Sequence, residues 1–356
     1  MSAVQDPMPQ PAARADAAYL DFVEGFRAYL LGEGSQFESR LEQELLAEGQ
    51  RRGAPLVDIE QIRAHVEALP IGQLRNRLAR TQQEMKWQRL TGSFEAQRAA
   101  LSAELARYDG RGPGRLLLDP AFNYPPYLNV NFHLQPGGYF KDELSGFLYH
   151  YGTKVFFRGD NDHDELHARL VAKAPAPADG RVSRVLDLAC SIGQSTTAFK
   201  RRFPEAEIWG IDYSAPMLRA AHRRAVMLDT DVNFAQRLIE STQFPAAHFD
   251  MSFAFIVFHE LPLRIIRETV RETARVTRPG GVFTVFDFIG SEVHSPFQRY
   301  HRYFDARHNG EPYSQDFCDC RFGDILDEYG FDVAAAPVGQ RAGGTGYMQH
   351  WFAIRR

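Results

Sequence analysis

Hydrophobic and polar positions along this chain follow two different rules. Up to about residue 108, apolar residues recur at helical spacing. Ile59, Ile62, Val66 and Leu69 follow Asp58, which with Gln61 has the form of a capping box, and the run stops at Pro70. Gln73 to Leu90 reads as a long polar-amphipathic helix and Phe94 to Tyr108 as another, until Asp109-Gly-Arg-Gly-Pro-Gly114 breaks the pattern. Further on, short apolar runs at 183–189, 207–211, 231–235, 250–257 and 281–288 alternate with helical stretches. Two more apolar runs, near 331–336 and 347–354, close the chain. This alternation predicts an α/β fold: a seven-stranded, mostly parallel sheet with helices on both faces, preceded by an all-helical domain. The expected divisions are a disordered stretch over 1–16, a helical cap or dimerisation domain over 17–110, a covering segment and linker over 111–180, and the α/β domain over 181–356.

Within the α/β part, Val185-Leu-Asp-Leu-Ala-Cys-Ser-Ile-Gly193 is an apolar strand ending in an acid, followed by small residues that turn into a helix. The next strand, Ile208-Trp-Gly-Ile211, ends in Asp212. Small residues let backbone approach a ligand, and an acid at the second strand tip can accept hydrogen bonds from ribose hydroxyls. A dinucleotide site calls for G-x-G-x-x-G so that a pyrophosphate can sit on the helix. Here Gly193 is accompanied by Ala189, Ser191 and Ser195, which argues against a nicotinamide-dependent oxidoreductase and for a ribose cofactor without phosphate.

From roughly residue 180 onward the chain resembles the class I S-adenosylmethionine-dependent methyltransferases, in the small-molecule branch related to the ubiquinone-biosynthesis C-methyltransferases. The resemblance rests on Asp187-Leu-Ala-Cys-Ser-Ile-Gly193, Ile211-Asp212-Tyr-Ser-Ala-Pro-Met217-Leu218 and the region Phe234 to Phe244. It continues through Phe249 to Pro262 and Val276-Thr-Arg-Pro279-Gly280-Gly281 to Asp287, in family order. Ala189 and Ser191 replace two usual glycines, and Arg237-Leu238-Ile239 stands where the family often has Gly-Asp-Ala. The resemblance implies a Rossmann-like sheet whose last strand is antiparallel. It implies S-adenosyl-L-methionine as cofactor, with Asp212 on the ribose and Asp187, Ala189, Ser191 and Gly193 forming the loop near the methionine end. Tyr213, Met217, Phe258, Leu238 and Ile239 would flank ribose and adenine. The segment before the first strand would cover the methionine end, where Tyr151 or Arg158 could meet its carboxylate.

Methyl transfer from a sulfonium is an in-line displacement, so positioning the acceptor is the main task and a base matters only if the acceptor must lose a proton. His259 and Glu260, at the fourth-strand tip, are the catalytic candidates, His259 as base. Asp287 at the fifth-strand tip, Tyr139 in the covering segment, and Tyr300, Tyr303 and His308 in the insertion after it are the acceptor-binding candidates. The aromatic supply of both covering segments points to an aromatic or heteroaromatic small molecule, of specialised rather than core metabolism. A non-catalytic cofactor-binding regulator or partner subunit is the alternative.

Composition narrows this further. The formal net charge is −4, with no basic run, so nucleic acid is not an expected partner. No apolar stretch spans a bilayer, and the Ala-, Pro- and Gln-rich start lacks the apolar core of a signal peptide. Cys190, Cys318 and Cys320 fit a reducing cytoplasm. Without a second Cys or His pair at zinc spacing no metal is expected. A homodimer through the helical domain is the one macromolecular contact anticipated.

Overall fold

The computed structural model describes the chain apart from residues 1–7, 33, 336–338 and 341–346. The first helices are α1 (Arg14–Leu31), α2 (Ser35–Arg52), α3 (Ile59–Ala68), α4 (Pro70–Glu95) and α5 (Arg98–Tyr108). The Asp58 carboxylate accepts from the Gln61 backbone N–H at 2.9 Å and so opens α3. Pro70 ends α3 but also starts α4, because its missing N–H costs nothing in a first helical turn. Phe94 therefore closes α4 instead of opening α5. Of the stretch expected to be disordered, 1–7 lie outside the described residues. Met8 is buried among Leu20, Leu90 and Phe94, and the Ala12 N–H donates to Ser93 Oγ at 2.7 Å.

The covering segment departs from its expected loop form. A two-residue strand β1 (Leu116–Leu117) is followed by irregular chain and then by α6 (Ser145–Phe157). Leu144, Phe147, Leu148, Tyr151 and Val155 recur at helical spacing and are buried against α1, α4 and α5. Gly152 lets α6 meet α4, since a Cβ there would come within 2.7 Å of the Trp87 ring. A second close approach, at Gly146, would put a Cβ 2.5 Å from that of Ala220. The helix α6 thus binds the helical layer to the sheet half.

After α7 (Glu165–Lys173) come β2 (Arg184–Leu188), α8 (Gln194–Arg202), β3 (Glu207–Asp212), α9 (Ala215–Met227), β4 (Asn233–Gln236), β5 (Phe249–Phe255), α10 (Leu263–Val276) and β6 (Thr277–Phe288). Then follow α11 (Pro296–His308), α12 (Ser314–Asp319), α13 (Phe322–Glu328), β7 (Phe331–Ala335), β8 (Gly339–Gln340) and β9 (Tyr347–Arg355). The sheet order is β1-β4-β3-β2-β5-β6-β9-β7, with β8 paired to β9. Pairings are parallel from β1 through β6, and β9 runs antiparallel between β6 and β7. The Rossmann-like sheet with its antiparallel last strand is as expected, enlarged by the short β1 and β8. Two apolar clusters cover its faces. Helix α11 opens with a capping box of Ser295 and Gln298, and Phe297, Tyr300 and Phe304 pack with α2 and α3. The insertion after β6 therefore completes the helical layer.

Candidate active site

The carboxyl ends of β2, β3, β5 and β6 open into one large cavity roofed by α4, α6 and α11. Its floor is the turn after β2. Ala189 and Ser191 hold φ of 51° and 52°, and Gly193 holds 75°. The left-handed backbone persists although two of the three residues carry a Cβ, at about 1–2 kcal/mol each. Small side chains keep that turn open to the cavity, where Asp187, Ala189, Ser191, Asp212, Tyr213 and Met217 all line the wall.

Asp212 braces this floor. Its Oδ2 accepts from the Ser191 N–H at 3.0 Å and its Oδ1 from the Ser214 N–H at 2.8 Å. Ser214 in turn caps α9 by accepting from the Met217 N–H. Burial pushes the Asp212 carboxyl up to about 6 despite those two donors. Burial likewise pushes Asp187 up to about 7, against the Thr196 hydroxyl that donates to it at 2.6 Å. The Tyr213 hydroxyl is buried without a partner. The Tyr213 backbone also bonds the Asp212 carboxylate, and the orphaned Tyr213 hydroxyl belongs to the next residue. These groups fit the ribose and amino-acid tail of S-adenosylmethionine.

Across the cavity sits a second polar group. His259 is 1% exposed, and its Nδ1 lies 2.6 Å from Asp287 Oδ1. Its Nε2 is buried with no partner. Desolvation works against a charge on His259, but Asp287 prevails and raises its pKa. Phe288 stacks on the imidazole with ring centroids 3.9 Å apart, and the Arg302 guanidinium lies 4.2 Å from the Phe288 centroid. Glu260 Oε1 accepts from the Tyr139 hydroxyl at 3.1 Å and lies 3.1 Å from His133 Nε2. Nδ1 of His133 is 3.0 Å from Glu311 Oε1. Burial opposes a charge on His133, yet the carboxylates on either side hold its pKa up at about 9.

Of the residues expected at the site, Asp187, Ala189, Ser191, Asp212, Tyr213, Met217, Tyr139, His259, Glu260 and His308 share this cavity wall. Gly193 stands behind it, packed close to Phe234 and Ala221. Asp287 acts from behind His259. The remainder differ from expectation for identifiable reasons. Tyr151 belongs to the apolar core between α6 and α4, edge-on to Phe94. Arg158 ends α6 in a left-handed conformation. Phe258 is wholly buried against Phe322. Leu238 and Ile239 lie off the cavity, where Tyr127 packs over the sheet cluster and donates to Glu240. Tyr300 and Tyr303 pack with α2 and α3, and the Tyr300 hydroxyl bonds Asn76 at 2.5 Å. The sequence reading assigned no role to His133, Glu311 or Arg302. His133 meets Glu260 and Glu311 only across remote segments, and Arg302, though paired with Asp305 one helical turn on, reaches Phe288 only through the fold.

A mostly parallel sheet, a small-residue turn after its first long strand, an acid at the next strand tip and an antiparallel last strand make a Rossmann-like α/β domain. Residues 185–281 match the family model described as a methyltransferase domain. Similar proteins include a demethylmenaquinone methyltransferase of Thermus thermophilus, 33% identical over 30% of this chain and 47% of its own. A trans-aconitate 2-methyltransferase of Azoarcus sp. is 37% identical over 32% of this chain and 41% of its own. The chain thus spans less than half the length of these curated relatives. A solved O-methyltransferase family protein of Burkholderia thailandensis aligns at 18% identity and a TM-score of 0.45, over 58% of this chain and 60% of that one. Among the described residues no helix is long and apolar enough to cross a membrane.

Proposed function

We propose that this chain transfers a methyl group from S-adenosylmethionine to a small aromatic or heteroaromatic acceptor. The observation that carries the reading is the lone Nε2 of His259, buried and unpartnered, across one cavity from the Asp187–Ser191–Asp212 floor. When bound, the cofactor supplies a methyl group already activated by its sulfonium. Asp212 holds the sugar through the same oxygens that brace the Ser191 and Ser214 N–H groups. Asp287 keeps a proton on His259 Nδ1, so that Nε2 offers its lone pair to the acceptor and can take its proton. Trp87, Tyr139, Tyr149 and Phe156 form aromatic walls suited to a flat ring. The free cysteines, of which Cys190 and Cys318 are buried, support a reducing, cytoplasmic setting.

Calorimetric titration with S-adenosylhomocysteine and NADH, on wild type and Asp212→Ala, tests the cofactor assignment. Binding of the sulfur ligand alone, collapsing in the variant, is the expected result. NADH binding would return the oxidoreductase alternative. Cofactor binding without turnover of any aromatic acceptor in a panel would favour a non-catalytic regulator.

A further inference from the structure

Beyond methyl transfer, the geometry points to a site for one divalent first-row transition-metal ion, held by His133, His259 and Glu260 at the acceptor end of the cavity. One ligand atom from each lies within 4.8 Å of the other two. His133 Nε2 and Glu260 Oε1 are 3.1 Å apart, the spacing of two ligands at right angles with bonds of about 2.1 Å. An ion between them would replace the proton they now share.

Three independent features favour an ion over a plain ionic network. First, His259 Nε2 is a buried acceptor with nothing to bind, aimed into the same cavity that the other two ligands line. An apolar wall does not leave such an atom dry without cost. Second, a carboxylate stands behind each imidazole: Asp287 at 2.6 Å from Nδ1 of His259, and Glu311 at 3.0 Å from Nδ1 of His133. The Asp287 contact is a hydrogen bond that fixes the ring and turns Nε2 of His259 toward a metal, as outer partners of metal-binding histidines do, whereas Glu311 approaches His133 only as an ion-pair neighbour. Third, four carboxylates, Glu260, Glu311, Asp287 and Asp305, gather around the site beside the half-buried Arg302 guanidinium and the His133 and His259 imidazoles.

Two imidazoles and one carboxylate select zinc, iron(II) or cobalt(II) over calcium or magnesium, which prefer all-oxygen shells. Three protein ligands leave positions open toward the cavity, where an acceptor oxygen or nitrogen could bind. The reading of the sequence expected no metal because it sought ligand pairs at local spacing. Here His133 arrives on the covering segment, far along the chain from His259 and Glu260. The metal site shares His259 and the cavity with the proposed reaction, while metal binding itself can be read without that reaction. If both hold, the ion occupies His259 Nε2, and acceptor activation passes from base to Lewis acid.

The test uses full-length, tag-free protein stripped of metal and titrated with Co²⁺ by visible absorption and with Zn²⁺ by calorimetry, without cofactor. Saturation at one equivalent is expected, with cobalt bands of a nitrogen–oxygen shell. His259→Gln and Glu260→Gln should each weaken binding at least tenfold, and Asp287→Asn by about 10–100-fold. S-adenosylhomocysteine binding, retained in each variant, reports that the fold survives. No saturable binding by wild type overturns the proposal, as does binding indifferent to both Gln variants. Intense thiolate-to-cobalt absorption would also overturn it, by moving the ion to Cys318 and Cys320. Loss of the methyltransferase reading would show separately, as metal binding without any affinity for S-adenosylhomocysteine.

Discussion

The Nδ1 atom of His259 lies 2.6 Å from Oδ1 of Asp287, and this contact ties the tips of two neighbouring strands together. Asp287 also accepts from the backbone N–H groups of Phe258 and Phe288, each at 2.8 Å. One buried carboxylate thus sets both the imidazole and the loop that carries it. His259→Ala should lower turnover by about 10²-fold or more while leaving S-adenosylhomocysteine affinity intact. Asp287→Asn keeps an acceptor for the backbone but disturbs the tautomer, so turnover should fall at least about tenfold. Steady-state kinetics beside calorimetry separate the two effects, and unchanged turnover in both variants would remove His259 from the reaction.

Asp212→Ala removes a group that bonds two backbone N–H donors and is assigned the cofactor sugar. Charged hydrogen bonds are worth about 1.5–3 kcal/mol, so the dissociation constant of S-adenosylhomocysteine should rise roughly 10–150-fold. An affinity unmoved in calorimetry would place the sugar elsewhere.

Cofactor binding should depend on pH. Burial raises Asp212 to about 6 and Asp187 to about 7, so both take up protons well above the usual carboxylate range. Hydroxyl and ammonium donors of the ligand favour the charged carboxylates. Affinity should therefore be full above pH 7 and fall as pH drops through 7 and 6, by up to about tenfold per unit for each proton bound. For the ligand-free fold the sign is reversed: the stability these raised acids contribute at low pH is lost as pH rises through the same window. The thermal shift produced by S-adenosylhomocysteine should accordingly shrink at low pH, and a shift constant with pH would contradict this assignment.

Asp164 and Arg224 form a buried ion pair between α7 and α9, with side chains 4% and 2% exposed. Gln194 also donates to Asp164, at 2.7 Å. Arg224→Met would leave that carboxylate without its cation and should cost about 3–5 kcal/mol in chemical denaturation. Adding Asp164→Asn should restore much of the loss. A double variant no better than the single one would mean that packing, and not charge, is what Arg224 contributes.

Tyr300→Phe separates a packing role from substrate contact. Its hydroxyl accepts from Asn76 within the layer formed by α2, α3 and α11. Loss of one such bond should lower stability by about 1 kcal/mol and leave the KM for the acceptor unchanged. A raised KM with unaltered stability would return Tyr300 to the acceptor site.

Much of the sheet half was legible in the residues themselves. Strand and helix alternate with different apolar periods, and the turn after β2 needs residues small enough to hold a left-handed backbone, so Ala189, Ser191 and Gly193 mark it without any fold being known. Asp212 is marked by ending an apolar run. The covering segment was less legible. Aromatic and Gly content suggested loops over 115–160, but the burial of Leu144, Phe147, Leu148, Tyr151 and Val155 on one face makes a helix of its second part. Gly146 and Gly152 serve close helix packing, while Gly137 and Gly138 hold a positive φ in the irregular part.

The sequence by itself determined the α/β class, the acid-tipped second strand ending at Asp212 and the polar pair His259–Glu260, because each depends on neighbours a few residues apart. Only the tertiary structure decided what faces what. It turned Tyr300 and Tyr303 into the helical layer and withdrew Phe258, Leu238 and Ile239 from the cavity. It also brought His133 and Glu311 to Glu260 and set Asp287 behind His259. Those pairings join segments far apart in the chain, and long-range contacts are chosen by how the layers pack, which leaves no local periodicity to read.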